Sequence, residues 1–377
     1  MTTALVTGGA GLIGSHIVDL LLRRAYRVRI LDNLEPSTHL EGGPAWIPAE
    51  AEFIQGDVRN TDDVRRALQG VEVVFHQAAY GGFALELTKM TEVNAGGTAR
   101  LFEVIRTDGL GVRKIVTASS QAVYGEGKYE CARCGPCYPE VRPLEEMERR
   151  DWELHCPVCR AVMRPVPIDE GAPLKLNGTY HLTKYFEERL TLGLGREWGI
   201  PAVALRYMLT YGPRQSVFNP YTGICSIFST RFLNGLAPVI YEDGQQTRDF
   251  VFVEDVARAN LVVMESEAAN GRVFNVGSGC GTSILRFAEL LRGAYGSQVS
   301  PSVPGQYRPV DFRHLVPDTS GLRALGWSPM VSLEEGVGRY ARWILSQRQP
   351  AEYFTKAEAL LQRMRVVRQA PQVPVCL

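Results

Sequence analysis

The sequence predicts an α/β fold: a doubly wound parallel sheet, a smaller α/β lobe after it, and a cysteine-rich segment inserted in the sheet domain. Three observations lead there. An N-terminal strand-like run turns through closely spaced glycines into a helix, then into a second strand ending in an acid. Apolar runs of strand length then recur with helix-length segments between them, the alternation that builds parallel sheets. Two Cys-x-x-Cys pairs interrupt that alternation.

The first strand is expected at 3–7 and the first helix from Ser15 to Arg24, with Gly8, Gly11 and Gly14 between them. Glycines at this spacing permit a tight turn, close backbone approach to a pyrophosphate and close helix–strand packing, and the helix N-terminus favours an anion. The second strand, Arg27 to Leu31, runs into Asp32-Asn33. A carboxylate there accepts from the adenosine ribose hydroxyls and repels a 2′-phosphate, which favours NAD(H) over NADP(H). Strands are expected at Glu52–Gln55, leading into Asp57-Val58, and at Val71–Phe75, leading into Gln77-Ala78-Ala79. Both end where open α/β sheets bind ligands. Asp57 reads either as a cap for the helix after Thr61 or, with Val58, as a residue flanking adenine. A helix over about 92–108 carries Asn94 near its start, and Lys114–Ala118 is a buried-type strand entering Ser119-Ser120-Gln121-Ala122.

Tyr180 and Lys184 stand four apart, one turn apart on the same helix face. A free tyrosine titrates near 10, and a neighbouring cation stabilises its phenolate and lowers that value. The pairing suits a phenol that loses its proton near neutral pH.

Bulk properties bound the remaining classes. Lys+Arg and Asp+Glu each total 41, so the net charge is zero and nothing in it points to nucleic acid or a membrane surface. No apolar run reaches the ~18–20 residues that span a bilayer. The N-terminus lacks the basic and apolar regions of a signal peptide, so a cytoplasmic protein is expected.

Of eight cysteines, five fall between Cys131 and Cys159. That clustering argues for a local site rather than a disulfide framework. Cys131-x-x-Cys134 and Cys156-x-x-Cys159 resemble a zinc ribbon, and four thiolates suit a closed, structural zinc site. Cys137 can replace Cys134, His155 is a lesser donor, and a redox pair or free thiols are the alternatives. The insertion holds little apolar mass, so metal binding is expected to supply its folding energy. Its entry after Ser120 and exit before Tyr180 suggest a lid or wall over the site. Cys225, Cys280 and Cys376 read as isolated thiols.

In the second half, a strand at Pro201–Tyr207 precedes Tyr211-Gly212-Pro213-Arg214, and Asn219-Pro220-Tyr221-Thr222-Gly223 precedes a helix over about 224–234. Val239–Gly244 reads as a strand and glycine turn before Arg248. Helices are expected at 254–267, 284–295, 318–325 and 333–348, a strand at 273–276, and a polar tail with one helix over about 351–365 and a frayed end.

The glycine spacing, Asp32, Asp57-Val58, Ser119-Ser120 with Val123-Tyr124-Gly125, and Tyr180-x-x-x-Lys184 together resemble the extended short-chain dehydrogenase/reductases, over residues 3–345. Within them the chain is similar to the nucleotide-sugar epimerases and dehydratases. The resemblance implies a Rossmann sheet over 1–206 with the zinc-ribbon-like insert at 126–168, and a return of 245–276 to that domain. It implies a nucleotide-sugar lobe over 207–244 and 277–348, with 349–377 as a tail. It implies Ser120, Tyr180 and Lys184 as catalytic residues around NAD. Gly8, Gly11, Leu12, Ile13, Gly14, Asp32, Asn33, Asp57, Val58, Gln77, Ala78, Ala79, Asn94 and Tyr207, with Tyr180 and Lys184, would contact the cofactor. Gln121, His181, Asn219, Arg248 and Arg308 would contact the substrate, the arginines through a diphosphate. It also implies a homodimer joined through a four-helix bundle of the helices near Asn94 and Tyr180.

The 4,6-dehydratases of this group carry Asp-Glu after the catalytic Ser/Thr, and the related decarboxylases keep the Glu. Gln121 and Ala122 stand there, and neither is a general acid or base. Epimerisation at C4 is left as the leading expectation, with tightly bound NAD. A 4-dehydrogenase or 4-ketoreductase with net NAD(P)(H) turnover is the alternative. The insertion with Asn219–Gly223 looks most like the dTDP-L-rhamnose 4-epimerases. His181 departs from the glycine common at that position.

Overall fold

The computed structural model describes residues 1–39, 43–81, 86–219, 223–347 and 352–371. Pro220–Thr222, Arg348, Ala351 and Cys376 lie outside the described residues. Seven parallel strands form the central sheet: β1 (Thr3–Thr7), β2 (Arg27–Asp32), β3 (Glu52–Gln55), β4 (Val73–His76), β5 (Lys114–Ser120), β6 (Ala202–Tyr207) and β7 (Val273–Val276). Their spatial order is β3-β2-β1-β4-β5-β6-β7. The order reverses between β1 and β4, which opens a crevice at the carboxyl ends of those strands, where doubly wound sheets bind ligands. The strands are near-continuous apolar runs because helices cover both faces.

The glycine turn is fixed by space. A Cβ on Gly14 would sit 2.1 Å from the Gly8 carbonyl oxygen, and one on Gly8 would sit 2.8 Å from the Ala78 nitrogen. The helix Leu12–Arg23 follows with no side-chain cap at its N-terminus. Asp57 is not the cap of the helix Thr61–Leu68: Asn60 is, accepting from the backbone of Asp62 and Asp63. The helix expected over 92–108 is broken into Leu87–Thr91, a π turn at Glu92–Gly96 and Gly97–Thr107.

A second core gathers around Tyr211, Phe250, Phe252 and Phe287, with Phe250 and Phe287 stacked at 3.9 Å. The stretch 245–276 divides between the two cores. Thr247–Phe252 pairs with Leu209–Tyr211, Gly281–Ser283 and His314–Leu315 in a separate small sheet, and only from Val253 does the chain return, with Val273–Val276 as the outer central strand. Val239–Gly244 is not a strand; Val239 makes a single bridge to Ser302. The tail forms a helix, Phe354–Arg363, and then Arg368–Gln369 pairs with Gln306–Tyr307 where a frayed end is expected. Among the described residues no helix is long and apolar enough to cross a membrane.

The insertion is a three-stranded antiparallel ribbon, Gly135–Cys137, Lys128–Cys131 and Arg164–Val166, around Tyr129, Leu154 and Met163. It docks on the second lobe through buried ions. Arg313 donates to Glu242 at 2.9 Å, to Asp243 at 2.6 Å and to Glu153 of the insertion at 2.6 Å. Arg142 donates to both oxygens of Glu242, at 2.7 and 3.0 Å.

Candidate active site

A cavity of about 530 Å³ runs along the sheet's carboxyl edge. At one end stand the glycine turn, Leu12, Ile13, Asp32 and Asn33, with Asp57 and Val58 beside them. Ala10 N donates to one Asp32 oxygen at 3.0 Å and Leu34 N to the other at 2.9 Å, which fixes the carboxylate at the end of β2. Asp57 accepts from Arg59 at 2.7 Å and Asn33 at 3.1 Å, and Arg59 holds its carboxyl below the usual range against burial, the largest, opposing influence. The uncapped helix, the bare glycines and the fixed carboxylate are the parts that a pyrophosphate and an adenosine ribose require, so the residues fit NAD.

The middle of the cavity is walled by Gln77, Ala78 and Ala79 after β4, and by Tyr207 at the end of β6. Thr7 Oγ1 accepts from the backbone of Gln77 and Ala78, each at 3.2 Å, and so donates to His76 Nδ1 at 2.8 Å. Thr98 spends its proton on the Asn94 carbonyl, so His76 Nε2 donates to Thr98 at 3.0 Å. That network places the imidazole proton on Nε2. Burial, then the Lys184 charge, push its pKa down to about 3. Tyr207 donates toward Gln77 and Asn260 at 2.9 and 3.0 Å, and burial raises its phenol.

At the far end, Ser120, Gln121, Tyr180 and Lys184 line the same cavity, with Asn219 nearby. Ser120 ends β5, and its Oγ accepts from Ala122 N at 3.2 Å, capping the short 3₁₀ turn Gln121–Tyr124. Tyr180 and Lys184 lie in the first turns of the long helix Thr179–Trp198. Ser120, Tyr180 and Lys184 therefore share one space with the dinucleotide-type cradle.

Four expected ligand residues are placed elsewhere. Asn94 is fully buried and binds the Tyr80 backbone in both directions, at 2.7 and 2.8 Å, and Thr183 at 3.1 Å. It ties the loop after β4 to the Tyr180 helix instead of lining the cavity. Arg248 is buried with its fork committed to Asp311 at 2.8 Å and to the Phe312 and Arg313 carbonyls, over the Phe312 ring. A buried guanidinium requires such partners, and these hold it in the second lobe rather than at the cavity wall. Arg308 lies over the Tyr241 ring at 4.8 Å, also off the cavity lining. His181 is likewise absent from the lining, with its pKa lowered by burial and raised in part by the Asp311 charge.

Other lining residues escaped the sequence reading. Gly81 is one: a Cβ there would sit 2.2 Å from Tyr180 Cε2. Its signal was the paired glycine directly after Tyr80, which the strand pattern alone did not single out. Glu35, His39, Met208 and Gln215 also line the cavity. The insertion supplies no lining residue among those described, so it does not wall this cavity. Its Cys131, Cys134, Cys156 and Cys159 sulfurs lie within 4.8 Å of one another, whereas Cys137 stands outside that group and His155 faces Glu146 and Asp151.

The profile of the NAD dependent epimerase/dehydratase family matches residues 4–143 and 160–277. The chain belongs to that family. The break in the match, 144–159, falls inside the insertion. Among curated relatives, a dTDP-L-rhamnose 4-epimerase of Burkholderia thailandensis is 36% identical over 91% of this chain and 95% of its own. A UDP-glucose 4-epimerase of Thermotoga maritima, solved with UDP-glucose, is 30% identical with a TM-score of 0.74, covering 91% of this chain and 99% of that one. A Thermus thermophilus UDP-glucose 4-epimerase solved with NAD is 30% identical with a TM-score of 0.72, over 92% of this chain and all of that one.

Proposed function

We propose that the protein is an NAD-dependent epimerase acting at C4 of a nucleotide-activated hexose, dTDP-L-rhamnose or a related dTDP- or UDP-sugar. One observation carries the reading: Ser120, Tyr180 and Lys184 converge at one end of a cavity whose other end is the glycine turn and Asp32, with no acid at 121 or 122. Bound NAD supplies a hydride acceptor that returns what it takes, so it stays bound. Tyr180, as phenolate, takes the proton of the sugar 4-hydroxyl, and Ser120 donates a hydrogen bond to the same oxygen. Lys184 stabilises the phenolate. The 4-keto sugar turns over in the pocket and Tyr180 returns the proton. Gln121 and Asn219 are the substrate contacts that the cavity supports.

The relatives are named as 4-epimerases, which supports the same reaction here. For the thiol cluster we propose a structural zinc: a tetrahedral site with Zn–S near 2.3 Å needs sulfurs roughly 3.8 Å apart, and Cys131 and Cys159 are 3.5 Å apart. Leu182 and Phe186 are exposed on one face of the Tyr180 helix, and Leu87 is exposed on the short helix that leads into the one carrying Asn94, which supports the homodimer.

The test is incubation without added cofactor with dTDP-L-rhamnose and a panel of UDP-hexoses, followed by NMR. A new C4 epimer with no net NADH is the expected result, and Tyr180→Phe should lower its rate at least a hundredfold. Conversion only with stoichiometric NAD(P)(H) would replace the reading with a dehydrogenase or reductase.

A further inference from the structure

Glu187 is fully buried one turn beyond Lys184 on the same helix. Lys184 Nζ donates to Glu187 Oε2 at 2.7 Å, and Thr117 donates to Glu187 Oε1 at 2.8 Å. Its neighbour Glu188, also buried, accepts from Ser119 at 2.7 Å and from two nitrogens of Arg206 at 2.6 and 2.9 Å. Thr117 and Ser119 lie two apart on β5, on one face of the sheet, so the strand that ends in Ser120 rests on two adjacent carboxylates. A buried carboxylate needs a cation. Arg206 serves Glu188, and Lys184 is the cation bonded to Glu187.

We propose that Glu187 is a positioning residue for Lys184: it holds the ammonium from behind, offsets part of its charge, and so sets the pH at which Tyr180 becomes a phenolate. This rests on the reading of Tyr180 as the proton acceptor. A lone ammonium one turn away draws the phenol's titration down, and a carboxylate on that ammonium opposes the effect. The other groups around the pair do not substitute for it. His76 on β4 is neutral, Tyr207 on β6 is an un-ionised phenol, and Arg206 is committed to Glu188. Burial raises the Glu187 carboxyl, while Lys184 and Thr117 draw it back.

The test needs no sugar. Tyrosinate absorbance of the NAD-bound protein is titrated against pH, with Tyr180→Phe as the blank that assigns the signal. Glu187→Gln keeps the volume and removes the charge. Its midpoint should fall by about one unit, a tenfold change in proton affinity, while Glu187→Asp, which keeps the charge, should stay near the native midpoint. Glu187→Met serves if Glu187→Gln does not fold, with the same downward shift expected. An unchanged or raised midpoint in the charge-free variant overturns the proposal, as does an equal shift in Glu187→Asp. A shifted midpoint in a protein that converts no sugar would keep Glu187's role and reject the epimerase reading.

Discussion

Gly81 shows how a single missing methyl shapes the chemistry. Its Cα stands against the Tyr180 ring, and a Cβ would meet Cε2 at 2.2 Å, so Gly81→Ala must push the phenol aside. Small misplacements of a reacting group are costly in rate. Turnover should fall at least tenfold with bound NAD unchanged, which cofactor release on denaturation and a rate assay would read together. A loss of NAD with the rate per bound cofactor intact would contradict this placement. Asn94 makes the complementary point. Its amide looked like a cofactor contact by position, but a fully buried side chain spends its donors and acceptor on Tyr80 and Thr183.

Among the elements, the strand–glycine turn–helix unit was the most legible part of the sequence. Gly8 and Gly14 are required by backbone contact, and Asp32 ends a strand whose apolar pattern is unambiguous. The π turn at Glu92–Gly96 left no trace, because a single i→i+5 turn shifts the helical register by only about one residue and no residue type marks it. The division of 245–276 was likewise hidden: Thr247–Phe252 has the composition of a buried strand, and composition does not say which sheet it joins. Arg248 was read from position alone, and its burial calls for the carboxylate and carbonyls that hold it; Arg308, read the same way, lies half-buried over the Tyr241 ring. The elements around β1 and β4 also carry a pH dependence. His16, whose Nδ1 donates to the Leu12 carbonyl, is pushed down to about 4 by burial, and His76 to about 3. For a histidine with a depressed folded pKa, the unfolded chain binds the proton more readily. The stability is therefore complete above about 6.5 and is lost as pH falls toward 3–4. Each group contributes about 2 kcal/mol of that loss by pH 5. Buried Glu126 and Asp249, raised by burial to about 7 and about 6, act in the opposite direction over the same window. The check is therefore a comparison: on going from pH 7.5 to 5, the melting temperature of His76→Gln should move upward relative to that of the native protein.

For the molecule as a whole, the insertion and the second lobe form one electrostatic assembly. Arg313 is fully buried among Glu242, Asp243 and Glu153, and Arg142 completes the set. Removing Arg313 leaves Glu242 bonded to Arg142 and turns the partly exposed Glu153 and Asp243 to solvent, so the loss is that of its own charged hydrogen bonds, about 1.5–3 kcal/mol. Arg313→Met should therefore lower thermal stability, and a melting temperature within a degree of the native one would refute the assignment. Elemental analysis of freshly purified protein should find zinc, with none after Cys131→Ser and Cys156→Ser together.

The ribbon's neck has a further effect. Lys128 pairs with Val166 and Tyr129 with Pro165, so the two strands that leave and re-enter the sheet domain are zipped together at their base. Ser120 and Tyr180 belong to distant parts of the chain, and bringing them together from an open coil carries the entropy of closing the whole intervening segment. Once the neck has formed, only Gln121–Gly127 and the stretch from 167 to 179 still have to close. The insertion thus shortens the search by which Ser120 and Tyr180 meet as the chain folds.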